Sequence, residues 1–127
     1  MKTLVLSTIF FLAYFLNVQN DSNDLFGRWE CYHKELEDGT TKSTDLFSGE
    51  VSEISCDDLI IELKPDYTGS ESIGGVTFKF TMNDSILTLG NRNYVIEKLS
   101  ISELVIRDFD SEKNNLFNYR QKFKKIK

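Results

Sequence analysis

The chain is predicted to be all-β, an antiparallel up-and-down meander of roughly eight strands that closes into a barrel. Three observations carry this. Apolar residues recur at every second position through most of the sequence after residue 24, the period that turns one face of a strand indoors. One proline occurs in 127 residues, and no window repeats apolar residues at helical spacing across three turns. Turn residues interrupt the alternation every 8–12 residues or so, the rhythm of sandwiches and barrels.

Leu25 to Lys34 is the first strand, with Gly27, Trp29, Cys31 and His33 on one face and Arg28, Glu30, Tyr32 and Lys34 on the other. Glu35 to Ser55 is polar; Asp38-Gly39 marks a turn, and Phe47 to Ile54 reads as a short strand or a helical turn. Asp57 to Lys64 alternates again, Leu59, Ile61 and Leu63 against Asp58, Glu62 and Lys64, with Ile60 the exception. Pro65-Asp66-Tyr67-Thr68-Gly69 turns the chain because proline presets φ and glycine accepts a positive one. Ser70 to Ile73 is a weak strand ending at Gly74-Gly75. Val76, Phe78, Phe80 and Met82 share the inner face of the next strand, and Asn83-Asp84 turns into Ser85 to Leu89. After Gly90-Asn91-Arg92-Asn93 come Tyr94 to Leu99, Glu103 to Phe109 and Leu116 to Lys125. Connections this short make neighbours antiparallel, and closure hides edges that strands rich in Phe and Ile would otherwise expose.

Ahead of the strands, Lys2 precedes an apolar run from Leu4 to Leu16, followed by polar Asn17, Gln19, Asn20 and Asp21. About thirteen apolar residues fall short of the roughly twenty that span a bilayer and suit the h-region of a secretory signal peptide. Residues 1–20 are therefore expected to be a signal peptide cleaved between Val18 and Asp21. An uncleaved anchor is the rival, because no small residue closes Val18-Gln19-Asn20. No cysteine follows to carry a lipid, so the product is expected to be one barrel domain, residues 21–127, periplasmic or secreted, with no stable membrane span.

A formal charge of −5 argues against nucleic acid, whose binding rests on Lys and Arg neutralising phosphates. The cluster Lys122, Lys124, Lys125, Lys127 reads as the solvent face of the last strand and its tail. Cys31 and Cys56 are the two cysteines, and thiols outside the cytosol tend to pair. A bridge would close a loop of about twenty-five residues and stabilise by roughly 3 kcal/mol. The alternative is two buried thiols too far apart to meet.

Leu25-x-Gly27-x-Trp29, then Cys56-Asp57-Asp58-Leu59-Ile60-Ile61-Glu62-Leu63-Lys64-Pro65-Asp66-Tyr67-Thr68-Gly69, resembles the bacterial lipocalin-like domain family. So do Phe78 to Leu89 and the pair Tyr94 to Leu99 and Glu103 to Ile106, and together the phrases cover nearly all of the chain after the leader. The resemblance implies a small exported barrel. Many such proteins are lipid-anchored, and most have no assigned ligand. This sequence departs by lacking the anchoring cysteine and by carrying Tyr67 where a glycine is usual, which implies a looser turn. In lipocalins an arginine near the last strand packs over the indole of Gly-x-Trp. Arg120 is the residue that could do this, although its parity sets it on the face opposite Phe117 and Tyr119.

Residues with chemical potential do not converge. His33 is the only histidine; it shares a face with Trp29 and points inward near a barrel mouth, with no nucleophile or carboxylate assignable to it. One histidine and two cysteines do not make a zinc site. Adjacent Asp57 and Asp58 fall on opposite strand faces, and Asp108 and Asp110 read as solvated acids before a turn. No enzyme activity, metal or cofactor is expected. The large side chains either fill the barrel or wall a small apolar pocket, since eight strands allow both. The expected function is binding of a small apolar ligand by Trp29, His33, Ile61, Phe78, Phe80, Phe117 and Tyr119. The alternative is a filled barrel serving as a protein-interaction module of the cell envelope. The expected partners are a small hydrophobic molecule or an envelope protein, and the expected state is a monomer.

Overall fold

The computed structural model describes residues 22–109 and 118–127. Helix α1 (Ser22–Leu25) leads into β1 (Gly27–Leu36), β2 (Lys42–Thr44), β3 (Val51–Glu53), β4 (Ile60–Leu63) and β5 (Thr68–Glu71). These are followed by β6 (Thr77–Asn83), β7 (Ile86–Leu89), β8 (Arg92–Leu99), β9 (Glu103–Asp108) and β10 (Tyr119–Ile126). Eight strands close into an antiparallel barrel in the order β1-β10-β9-β8-β7-β6-β5-β4, with β1 pairing both β10 and β4. The expected meander is present, and closure removes the free edges.

Two elements differ from expectation. Leu25 ends a helical turn rather than opening the first strand. Its side chain is fully buried and plugs one end of the barrel. The polar segment after β1 forms its own two-stranded hairpin, Lys42–Thr44 against Val51–Glu53, outside the barrel. All six strand residues there are exposed, so backbone pairing rather than alternation holds it, and it left no apolar pattern to read.

The core is the inner face of the barrel. Trp29, Phe80, Phe123, Leu63, Leu87, Leu104 and Ile106 are almost wholly removed from solvent, each contributing roughly 1.5–3 kcal/mol. Gly27 starts β1 with φ of 138°, a conformation that side chains rarely adopt. A Cβ there would stand 3.2 Å from the Lys125 stem. The glycine of Gly-x-Trp thus lets the Lys125 side chain pass across the end of the barrel.

Inward alternation on β1 does not run its full length. The register of β1 on β10 pairs Trp29 with Lys125 and Cys31 with Phe123, then skips Tyr32 and pairs His33 with Lys122 and Lys34 with Gln121. This bulge adds one residue on one strand and exchanges the faces beyond it. His33, expected inside, is on the outer face beside Glu35, 3.1 Å from Nε2 to Oε1. Lys34, expected outside, lines the interior.

Lys125 belongs to the inner face rather than the solvent stripe. Its ammonium lies 4.8 Å from the centre of the Trp29 ring. The residue over the indole is therefore Lys125, and Arg120 sits outside, bound to Glu97 and Glu35. The turn at Tyr67 is tight. Tyr67 takes φ of 65°, its N–H donates to the Lys64 carbonyl at 2.9 Å, and its ring packs 5.5 Å from Phe26 and 5.3 Å from Phe80. Aromatic packing holds a left-handed residue where glycine would be free of strain. Phe117 and Asp110 lie outside the described residues.

Cys31 and Cys56 are joined, with Cα atoms 5.7 Å apart. The bridge ties the end of the hairpin excursion to the barrel wall. Among the described residues no helix is long and apolar enough to cross a membrane.

Candidate ligand-binding site

The barrel has two unlike ends. At one end α1 seals the interior: Trp29 Nε1–H donates to the Leu25 carbonyl at 2.8 Å, and Lys125 Nζ–H donates to the Asp24 carbonyl at 2.9 Å. There Phe26 meets Tyr67 and Phe80 in T-shaped contacts, and Tyr67 lies tilted against Phe80. Toward the other end the filling stops short, leaving a cavity of about 180 Å³.

Its floor is apolar, made by Ile61, Ile106, Phe123, Leu59 and Leu89. Its upper wall is polar, made by Lys34, Glu71, Arg92, Tyr94, Asp108, Tyr119 and Gln121. Pairing explains why these meet. Tyr94 lies opposite both Asp108 and Leu87, Arg92 opposite Leu89, Glu71 opposite Ile61, and Lys34 opposite Gln121. Tyr94 is itself a core residue, Arg92 stands one inward position beyond it and Lys34 is the next inward position past Cys31, so the apolar core grades into a charged mouth.

The mouth residues have specific surroundings. Lys34 Nζ stands 4.5 Å over the Tyr119 ring, a cation–π contact. Asp108 Oδ2 accepts the Tyr119 backbone N–H at 3.0 Å. Burial pushes the Tyr94 phenol above its usual range; Arg92 pulls against this, and Asp108 and Glu71 add to it. Tyr94 therefore stays a neutral donor at physiological pH.

Of the residues expected to bind ligand, Ile61 and Tyr119 line this cavity. Trp29 and Phe80 are packed into the sealed half. Phe78 lies over Gly69, where an added Cβ would come within 2.7 Å of its ring. His33 is on the outer wall, and Phe117 is not among the described residues. The polar residues missed are Lys34, Glu71, Arg92, Tyr94, Asp108 and Gln121, and the apolar ones Leu59, Leu89, Ile106 and Phe123. Lys34 is hidden by the bulge, Arg92 by its place in a turn phrase and Asp108 by its place before one. Strand parity counted back from Tyr94 and onward from Ile106 was the available signal for Arg92 and Asp108.

The outer wall over β1, β10, β9 and β8 carries charges that are already matched. Glu35, the one buried charged residue among the described residues, meets Arg120 at 3.3 Å and Lys122 at 3.4 Å. Burial pushes its carboxyl up, but Lys122 and Arg120, with a smaller influence from His33, outweigh this and leave it below the ordinary value. Glu97 binds Arg120 and Arg107. A wall so self-satisfied offers a ligand little to bind. A more open depression of about 610 Å³ lies between β1 and the β2–β3 hairpin, around Cys31, Tyr32, Ile54, Cys56 and Asp58. Among the described residues no group of three His, Cys, Asp or Glu is placed to hold a metal.

No family model, curated protein or solved structure matches this chain.

Proposed function

We propose that the chain is an exported lipocalin-like barrel that binds one small, largely apolar molecule in the open half of its interior. The observation that supports this best is the cavity itself, about 180 Å³ with an apolar floor, in a barrel whose other end is sealed. Pockets with apolar walls and a few placed polar groups are the usual form of small-molecule sites. Export agrees with the leader-like residues 1–20 and with a disulfide, which persists in oxidising compartments.

Native mass spectrometry of the protein purified from its own host should reveal an adduct of small mass, lost when Leu89→Phe fills the cavity. Absence of any adduct, together with unmoved amide resonances of Ile61, Leu89 and Ile106 across a panel of small apolar compounds, would refute the reading.

One observation favours the second reading, a protein-interaction module of the envelope. At the tip of the β2–β3 hairpin, Leu46 and Phe47 are 93% and 101% exposed, an adjacent pair of large apolar side chains open to solvent. In that reading a partner co-purifies with the chain and is lost with Phe47→Ser; an unchanged set of co-purifying proteins excludes the hairpin.

A further inference from the structure

We propose that the interior cavity selects a small zwitterion, an apolar body bearing both an ammonium and a carboxylate, the class that includes free amino acids with hydrophobic side chains. This rests on the cavity being a ligand site and names the chemistry of what enters it.

Four charged side chains line the cavity: Lys34 on β1, Asp108 on β9, Arg92 on β8 and Glu71 on β5. Taken around the barrel in its strand order, they run positive, negative, positive, negative. Their sum is zero, so the mouth attracts neither anions nor cations as a class.

On the outer wall Glu35, Glu97, Arg107 and Arg120 all stand in ion pairs. Among the described residues none of the four cavity charges has an ion-pair partner. Asp108 accepts one backbone N–H and Lys34 rests on one ring. Arg92, Asp108 and Glu71 line the same cavity as Tyr94. Lys34, Glu71 and Asp108 are half-buried at this mouth and Arg92 is exposed at its rim, so all four stay open to the charged groups of a ligand.

Candidate ligand types then separate. A neutral hydrocarbon fills the floor and pairs with none of the four charges. A simple acid or amine satisfies one sign and faces the other with a like charge. A zwitterion sets its carboxylate toward Arg92 and its ammonium toward Glu71, the two cavity charges whose side chains make no hydrogen bond, ion pair or ring contact among the described residues, with its apolar body on Ile61, Leu89 and Ile106. Space allows this: about 180 Å³ equals some six liquid waters at ~30 Å³ each, room for a side chain of leucine or phenylalanine size with its head at the mouth.

The test uses four probes that share one phenylethyl body: L-phenylalanine, 3-phenylpropionate, 2-phenylethylamine and ethylbenzene. Each is titrated into the mature protein by calorimetry, with amide resonances of Ile61 and Ile106 as the site marker. L-phenylalanine is expected to bind at least tenfold tighter than the other three. Arg92→Met should weaken L-phenylalanine and 3-phenylpropionate at least fivefold while sparing 2-phenylethylamine, and Glu71→Gln should do the converse. Both variants should keep the wild-type dispersion of amide resonances. Ethylbenzene binding as tightly as L-phenylalanine at the same resonances overturns the zwitterion proposal and leaves the cavity a ligand site. Failure of all four to bind overturns both.

Discussion

Lys125 and Trp29 form a clamp across the sealed end of the barrel. The ammonium stands 4.8 Å from the ring centre while reaching the Asp24 carbonyl, and the indole N–H holds the next carbonyl, that of Leu25. A four-residue helical turn has too few internal hydrogen bonds to persist alone. The cation and the indole satisfy its terminal carbonyls and dock it on the core.

Lys125→Met keeps the apolar stem and removes the charge. It is expected to cost about 1–2 kcal/mol, from the cation–π contact and one hydrogen bond, seen as a lower urea midpoint at unchanged slope. Trp29→Ala should cost ~3–5 kcal/mol through the void it leaves. A Lys125→Met midpoint equal to wild type would show the clamp to be energetically neutral.

Gly69→Ala should destabilise by about 1–3 kcal/mol. The new Cβ would stand 2.7 Å from the Glu62 carbonyl oxygen and 2.7 Å from the Phe78 ring; the ring can shift, the paired backbone cannot. Pairing this change with Phe78→Leu should recover part of the loss, which thermal melts of the three variants would reveal.

Removing the bridge in a Cys31→Ala, Cys56→Ala double variant should cost ~3 kcal/mol, because the loop it closes spans 25 positions. Thiol titration in denaturant without reductant should find no free thiol in the wild type. Two free thiols per chain, or an unmoved unfolding midpoint in the double variant, would contradict the bridge.

Acid should weaken the fold through the outer wall. The Arg120 hydrogen bond is the largest influence on Glu97 and holds its carboxyl below the ordinary 4.5, against the opposing effect of burial. A carboxyl lowered in the folded state contributes stability above its unfolded value, lost as pH falls through the folded one. Glu97→Gln should therefore lose less stability than wild type between about pH 5 and pH 3. The difference should be on the order of 1 kcal/mol or less after solvent screening. Parallel curves of urea midpoint against pH would exclude the effect.

Much of the barrel was legible residue by residue. Leu59, Ile61 and Leu63, then Phe78 and Phe80, then Leu87 and Leu89, all face where alternation places them, since a strand's two faces follow from local geometry alone. The candidate site was legible only in its floor, at Ile61, and at Tyr119. Its charged wall was not, because Lys34, Glu71, Arg92 and Asp108 are ordinary polar residues until the strands carrying them close on one another.

From the sequence alone came the all-β class, the count and order of the barrel strands and the paired faces of the core, all consequences of a two-residue period and of turn chemistry. Tertiary structure decided the rest. The bulge at Tyr32 exists only as a mismatch between β1 and β10, and it alone sends His33 out and Lys34 in. Whether the interior is filled depends on how side chains from eight strands meet at each level, a sum over neighbours that no single segment contains.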